Sequence, residues 1–293
     1  MKVALVGLGL MGVPIAERIL AADHELTVHN RTPGKEGDLV AKGAAWAASP
    51  AGLLESCDVC ITMVANDAAL KAVTLPPGGA LAGARPGTAL VDMSTVSVAG
   101  SSEVAAAAEA AGVEYLRAPV SGNPGVVRAG NLTIVVSGPS ETLERLRPLL
   151  ETIGPHVYQV GEAEEARVVK LALNVMIAGT CELMAEALVL GELGGVAPDK
   201  LLEVMGNSAV GSPFVKYKTA PLLAGDYSAT FTASMMQKDL GLVRSLAGES
   251  GVGLPLTDEL YQLFQQTIDA GYADSDLMAL LLALRERSGF QPT

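Results

Sequence analysis

The sequence predicts an α/β protein: an N-terminal, doubly wound parallel sheet, then an all-α C-terminal domain, the two joined by a long helix. Three observations carry this. Short β-rich runs alternate with helical ones through the first half, which calls for a parallel sheet with helices on both faces. A glycine-rich turn follows the first strand. The stretch from Glu164 to Leu193 contains no proline and few β-formers, a length beyond an ordinary globular helix. At 293 residues the chain suits two domains, with boundaries expected at 1–162 and 163–293.

Lys2–Val6 reads as the first strand and Met11–Ala21 as the helix after it. Glu25–His29 is the second strand, left by a loop through Thr32-Pro33-Gly34, whose Pro and Gly are turn formers. Val59–Val64 and Thr88–Met93 are apolar runs of strand length. Ala99–Ala111, rich in Ala and Glu, is helical, Glu114–Arg117 returns to strand, Asn131–Ser137 adds another, and Ser140–Ile153 is a helix. Beyond the long helix everything reads as helical, with segments at Pro198–Met205, Met235–Ser250, Thr257–Ala270 and Asp274–Arg287. Pro198 stands near a helix start, and Gly251 and Gly271 just after helix ends, as capping favours.

Composition narrows the function classes. Apolar residues make up 49% of the chain and aromatics 4%, so the core is built from Ala, Val, Leu, Ile and Met, which suits close helix packing. The formal net charge of −12 repels nucleic-acid backbones and anionic lipid, so neither partner is expected. An anionic ligand on such a chain needs a locally positive site, which makes single Lys and Arg residues informative. Three cysteines, an odd number, argue against a disulfide framework and for a reducing compartment. Cys57 and Cys60 form a C-x-x-C, but Cys60 lies in an apolar strand, so the cysteines read as core. Met1-Lys2 and the apolar residues after it look like a signal peptide, yet Gly7, Gly9, Gly12, Glu17 and Arg18 break that pattern. No run of 18 apolar residues free of charge is apparent, so no membrane span is expected and a cytoplasmic location is. The histidines, His24, His29 and His156, are scattered without metal-ligand spacing, and no metal site is expected.

Gly7-Leu8-Gly9-Leu10-Met11-Gly12 matches G-x-G-x-x-G in the context that the motif requires, after a strand and opening a helix. Gly7 permits the tight turn, Gly9 lets a pyrophosphate approach the backbone, and Gly12 lets helix and strand pack closely. The helix N-terminus turns N–H groups and positive dipole toward phosphate. This is a Rossmann dinucleotide site. An NAD site usually places Asp or Glu at the end of the second strand, against the ribose hydroxyls. Here the residues are Asn30-Arg31-Thr32. No carboxylate repels a 2′-phosphate, and Arg31 can pair with one, so NADP(H) is expected, with NAD(H) a weaker possibility.

Four segments in order, Gly7 to Gly12, Ala118-Pro119-Val120-Ser121-Gly122, Lys170 with Asn174, and Lys238-Asp239, resemble the β-hydroxyacid dehydrogenase (3-hydroxyisobutyrate dehydrogenase-like) family. The resemblance spans essentially the whole chain. It implies a dimer or tetramer with the active site in an interdomain cleft, acting on a small carboxylate-bearing substrate. It implies that Ser121 and the backbone amides of Gly122 and Asn123 hold that carboxylate, as a hydroxyl and turn amides can. It implies that Lys170 is the catalytic acid/base, with Asn174 one helical turn on, facing the same way. An ammonium can protonate the alkoxide that hydride addition leaves, and the amine can remove that proton in reverse; apolar Val168, Val169, Leu171 and Leu173 around it would lower its pKa toward the working range. Thr95 aligns with a threonine near the nicotinamide ribose, Lys238 with a lysine reaching the cofactor, and Val64 and Ala65 end a strand on the cofactor side.

The chain departs from the family pattern at four places. Arg117 stands where an acidic residue is usual, Asn123 where a second glycine is, Glu164-Glu165-Ala166 where G-x-G is, and Leu173 where the first of two asparagines is. These bear on the substrate more than on the reaction. The expected reaction is reversible hydride transfer between NADP(H) and a small β-hydroxyacid or its semialdehyde, with short aldehyde acids such as glyoxylate or succinic semialdehyde also compatible. An imine reductase, similar in fold and cofactor loop, is a second reading, opposed by Lys170, Asn174 and the Pro-Val-Ser-Gly run. A non-catalytic NADP(H)-binding scaffold is a third, opposed by Lys170.

Overall fold

The computed structural model describes residues 1–290. The chain parts into two compact units, Met1–Lys170 and the residues from Leu171 onward.

The first unit follows the order β1 (Lys2–Val6), α1 (Gly12–Ala21), β2 (Glu25–His29), α2 (Gly37–Ala41), β3 (Ala45–Trp46), α3 (Leu53–Ser56), β4 (Val59–Thr62), α4 (Asp67–Thr74), β5 (Ala89–Asp92), α5 (Val98–Ala110), β6 (Glu114–Arg117), β7 (Val120–Ser121), α6 (Pro124–Arg128), β8 (Thr133–Ser137), α7 (Ser140–Ile153) and β9 (His156–Gly161). It ends in the first turns of α8 (Glu165–Leu193). The strands form one sheet in the order β3-β2-β1-β4-β5-β6-β8-β7, with β9 beside β8. From β3 to β6 every pairing is parallel, while β8 runs antiparallel to β6 and β7.

Alternation along the central strands explains why they read as continuous apolar runs. Val3, Leu5, Val28, Ile61 and Val91 point to one face and pack with Ile15 and Ile19 of α1 and Leu143, Leu146 and Leu150 of α7. Ala4, Val6, Cys60, Leu90 and Tyr115 point to the other and pack with Leu53, Leu54, Leu70, Val104 and Ala108. A parallel sheet buried on both faces needs apolar side chains at every position. The sheet order reverses between β2 and β4, on either side of β1, and the carboxyl ends of the strands there form the crevice where such sheets bind ligands.

Three strands escaped the sequence reading. β3 and β7 have two residues each, and β9 has an exposed, non-alternating pattern, so none carries a periodicity to read. Several expected strands are shorter than their apolar runs: Val59–Val64 ends at Thr62, Thr88–Met93 is Ala89–Asp92, and Asn131–Ser137 begins at Thr133.

In the second unit α8 continues and is followed by α9 (Pro198–Asn207), α10 (Pro213–Ala224), α11 (Ala233–Glu249), α12 (Pro255–Thr267), an irregular turn at Ile268–Tyr272, a 3-10 turn at Leu277–Ala279 and α13 (Leu280–Ser288). Ala178, Cys181, Met184, Ala185 and Leu188 of α8 pack against Phe214, Met236, Leu240, Leu260 and Phe264. Prolines in the first turns of α9, α10 and α12 use a position where no N–H is needed. Ser212 and Thr232 cap α10 and α11 through their side chains. Gly271, at φ +95°, turns the chain after α12.

One sequence expectation needs correction here. The helix expected over Asp274–Arg287 is a 3-10 turn and then α13, because Asp276 is extended (φ −54°, ψ 145°) with its carboxylate engaged elsewhere. α10 leaves no readable stripe in the sequence, since Pro221 interrupts it and its apolar residues keep to no single face. In addition, α8 is long and apolar enough to cross a membrane by length and composition alone, with mean hydropathy 1.6 and 39% of that window buried within the protein. Core helices of soluble proteins meet the same test.

Candidate active site

The glycine loop is held from below. The N–H of Gly7 donates to the His29 carbonyl at 2.8 Å, and that of Leu8 to Asn30 Oδ1 at 3.0 Å. Asn30 in turn donates to the Thr32 carbonyl at 2.7 Å, so one amide side chain ties the loop after β1 to the loop after β2. Asn30 therefore acts as a brace. Gly7 has φ +104°, and a β-carbon there would lie 2.2 Å from the Met63 carbonyl oxygen. One at Gly12 would lie 1.9 Å from the Gly7 carbonyl oxygen. A β-carbon built at Gly9 would meet nothing within 4 Å beyond its chain neighbours, so this glycine borders open space. No side chain caps α1, and its first-turn amides face that end of the loop. A pyrophosphate fits this cradle, with the residues that the motif requires in place.

Leu8 is buried in the core and half-buried Met11 packs against it, whereas Leu10 is exposed, so of the three variable motif positions only Leu10 lies outside the packing. Arg31 and Thr32 are exposed directly after β2, and no carboxylate occupies the strand end. At the end of β4, the Val64 N–H donates to Ser94 Oγ at 2.9 Å, which joins the Val64-Ala65 turn to the Ser94-Thr95 turn after β5. Ala65 is exposed and Thr95 half-buried. Asn66 accepts from Ala69 N–H and caps α4.

Ser121 ends β7 and Gly122 follows it at φ +148°. The backbone angle at Gly122 favours glycine, and a β-carbon there would also press on the Leu132 side chain, 2.8 Å from its Cδ1. Asn123 Oδ1 accepts the Val126 N–H at 3.0 Å and caps α6. That gives the asparagine found at a usual glycine position a local structural reason: a capping side chain that glycine lacks.

Lys170 is half-buried on α8. The turn before it holds the groups that the sequence reading missed. Arg167 is 1% exposed and Asp92 fully buried, and Arg167 Nη2 donates to Asp92 Oδ2 at 2.6 Å. The same guanidinium reaches Tyr115 Oη at 2.9 Å, Ser101 Oγ at 3.1 Å and the Ser94 carbonyl at 2.8 Å. Burial opposes the charge on Arg167, but Tyr115, Asp92 and Glu164 around it outweigh burial and raise its pKa. Burial also pushes the Tyr115 phenol up to about 12, so it stays protonated. The signal for this network was faint in the sequence: one arginine inside the apolar run Ala166-Arg167-Val168-Val169, and one aspartate ending a buried strand.

The two charged departures from the family pattern meet each other. Arg117 donates through Nε at 2.9 Å and Nη2 at 2.6 Å to Glu164 Oε1, and its guanidinium lies 4.6 Å from the centre of the Tyr115 ring. Both side chains are largely buried, so each charge stands there because the other does.

In the second unit Asn174, one turn beyond Lys170 on α8, donates from Nδ2 to Asp239 Oδ2 at 2.5 Å. Lys238 Nζ lies 2.8 Å from Asp239 Oδ1. Asp239, 1% exposed, thus brings together two residues that the sequence reading placed in the site separately.

All three cysteines are buried, and burial raises the thiol pKa of Cys60 and Cys181, which suits packing and not redox chemistry. Among the described residues, no group of three or more His, Cys, Asp or Glu is placed to hold a metal ion. A hollow of about 660 Å³ lined by Met1, Lys2, Glu25, Asp58 and Arg85 lies at the amino ends of the strands, the edge opposite the glycine loop, where sheets of this kind do not bind their ligands.

Comparison with known proteins agrees with this architecture. Residues 2–161 match the NAD binding domain of 6-phosphogluconate dehydrogenase, and residues 165–284 match the NAD-binding domain of NADP-dependent 3-hydroxyisobutyrate dehydrogenase. The chain is 33% identical to an NAD-dependent L-serine dehydrogenase of Pseudomonas aeruginosa, over 94% of this chain and 95% of that one. The structure of 3-hydroxyisobutyrate dehydrogenase from Salmonella typhimurium superposes with a TM-score of 0.88 at 29% identity, covering 96% of this chain and 99% of that one. A structure described as Psf3 in complex with NADP+ and 2-OPP superposes with a TM-score of 0.90 at 28% identity, over 96% and 99% of the two chains.

Proposed function

The chain belongs to the β-hydroxyacid dehydrogenase family, NAD(P)-binding oxidoreductases of the 3-hydroxyisobutyrate dehydrogenase type, and from that premise we propose that it interconverts a small β-hydroxyacid and its semialdehyde with NADP(H), using Lys170 as the acid/base. The observation that carries the reading is the spacing of Lys170 and Asn174, one turn apart on α8, with Asn174 fixed by Asp239 beside Lys238.

Bound along the glycine loop, the dinucleotide supplies or accepts the hydride. Gly9 leaves room for its pyrophosphate, and Arg31 offers a guanidinium to a 2′-phosphate where no carboxylate repels it. Relatives divide between NAD and NADP, so the preference for NADP(H) rests on Arg31. Ser121 with the amides of Gly122 and Asn123 holds the substrate carboxylate. Lys170 donates a proton to the carbonyl oxygen during reduction and withdraws it during oxidation, while Asn174 orients the substrate oxygen or the amine. Exposed Met176, Leu183 and Leu190, spaced by seven residues on α8, support a homodimer or homotetramer.

The test is nicotinamide absorbance with NADPH and NADH in parallel, against semialdehydes, keto acids and cyclic imines. We expect turnover of a short aldehyde acid with NADPH preferred. In Lys170→Ala, kcat should fall by a factor on the order of 10²–10⁴ while NADPH affinity stays nearly intact. Oxidation with imines only would replace this reading with an imine reductase. Tight NADPH binding without turnover of anything would favour a non-catalytic scaffold.

A further inference from the structure

We propose that Arg167 is a positioning residue for Lys170: it locks the first turn of α8 to the turns at the carboxyl edge of the sheet, and so sets where the Lys170 amine stands. The proposal rests on the acid/base reading of Lys170.

A guanidinium carries five N–H donors. Those of Arg167 meet acceptors on four segments: Ser101 Oγ on α5 at 3.1 Å, Tyr115 Oη on β6 at 2.9 Å, Asp92 Oδ2 and, more distantly at 3.5 Å, the Asp92 carbonyl on β5, and the Ser94 carbonyl on the turn that follows at 2.8 Å. The bonds continue past the arginine. Asp92 Oδ1 accepts from Thr62 Oγ1 at 2.7 Å and from the Ser94 N–H at 3.1 Å, and Ser94 Oγ accepts from the Val64 N–H at 2.9 Å. One connected network therefore runs from α8 to the Val64-Ala65 turn, on the cofactor side of the sheet, and to the Ser94-Thr95 turn, whose threonine aligns with one near the nicotinamide ribose.

Helix geometry carries this to Lys170. Three residues along α8 amount to about 4.5 Å of rise, with no flexible bond between the two Cα atoms. Arg167 alone would leave the helix free to roll about its axis. Glu164, held by Arg117, supplies a second anchor three residues earlier, and Arg117 lies over the same Tyr115 ring that Arg167 bonds. An anchor on the residue that opens α8 and another in its first turn set both the rise and the roll.

Stability alone does not account for such an arrangement. Burying an ion pair gains little or nothing over well-packed apolar side chains of the same volume, whereas a buried fork bonded on four segments specifies one geometry. Proton transfer needs that geometry, since the acid/base must come within hydrogen-bond reach of the substrate oxygen.

The experiment is a double-mutant cycle of Arg167→Gln and Lys170→Ala, with kcat measured on the aldehyde acid turned over fastest, NADPH affinity by calorimetry, and folding by circular dichroism. Arg167→Lys joins it as the variant that keeps the charge beside Asp92 but loses the fork. We expect Arg167→Gln to lower kcat by about a hundredfold, the cost of misplacing a reacting group by about 1 Å. NADPH affinity should change far less. Arg167→Lys should fold, should not restore kcat, and stands in for Arg167→Gln if that variant does not fold. In the Lys170→Ala background the Arg167 substitutions should have almost no further effect on kcat. If their loss repeats in full in that background, or if Arg167→Lys keeps wild-type kcat, the positioning role is wrong while the acid/base reading stands. If Lys170→Ala by itself leaves kcat unchanged, the acid/base reading fails and this inference falls with it.

Discussion

Each unit has a cation and a carboxylate paired at full burial, and the two pairs are built differently. In the sheet unit Arg167 meets Asp92, and the planar guanidinium spreads its bonds over β5, the turn after it, α5 and β6. In the helical unit Lys218 Nζ lies 2.6 and 2.7 Å from the two oxygens of Asp276, with Thr230 Oγ1 at 3.2 Å and the rings of Phe214 and Tyr217 alongside. Asp276 also accepts the N–H groups of Thr230 and Met278, so it ties α10, the loop before α11 and the 3-10 turn at one point. A lysine is a point charge that closes one knot, while an arginine is an oriented fork that fixes a direction. The first kind of pair holds a fold together, and the second can aim a helix.

The comparison breaks most visibly if Lys218 is removed. Lys218→Met leaves Asp276 buried without its cation and should cost about 3–5 kcal/mol of stability in urea unfolding. Turnover per folded molecule should be unchanged, and a fall in kcat at full folding would give the lysine pair the role assigned to the arginine pair. A smaller effect is expected at Arg117. Arg117→Met leaves Glu164 largely buried without its partner and should cost about 1–3 kcal/mol, much of it recovered in Arg117→Met with Glu164→Met. Purely additive losses would show that the two departures from the family pattern do not depend on each other.

The smallest effect concerns a carboxylate without a dominant cation. Glu182 in the helical unit is raised from 4.5 to about 7 by burial first and by Glu186 next, with Arg287 partly offsetting them and Glu259 adding to the repulsion. Between those values the folded protein keeps a proton that the unfolded chain releases, so this group makes stability fall as pH rises through that window. Discounted for partial solvent screening, Glu182→Gln should stabilise the protein by about 1 kcal/mol at pH 8 and by almost nothing at pH 4.5. Urea midpoints at the two pH values decide it, and an equal shift at both would mean that Glu182 acts through packing alone.

Much of the architecture was legible because its causes are local. The glycines of the first loop, the apolar runs of β1, β4 and β5, and the proline-free Glu164–Leu193 stretch each declare a backbone geometry without help from distant residues. The short strands β3 and β7 and the exposed β9 were not legible, because pairing with a neighbour creates them and their own patterns do not. Over Asp274–Arg287 the structure departs from the expected helix for a related reason: helix propensity gives way to the carboxylate of Asp276, needed by Lys218 from another segment.

By itself the sequence determined the glycine cradle, the charge character of the loop after β2, and the presence of Lys170 and Asn174 one turn apart, since spacing along a strand or helix settles each of these. Only the tertiary structure decided what those residues rest on. Arg117 and Glu164, 47 positions apart in the chain, stand 2.6 Å apart in the fold. Arg167 and Asp92, 75 positions apart in the chain, became one buried pair. Such pairing depends on distance in space, and a charge in the sequence does not name the partner that will make its burial tolerable.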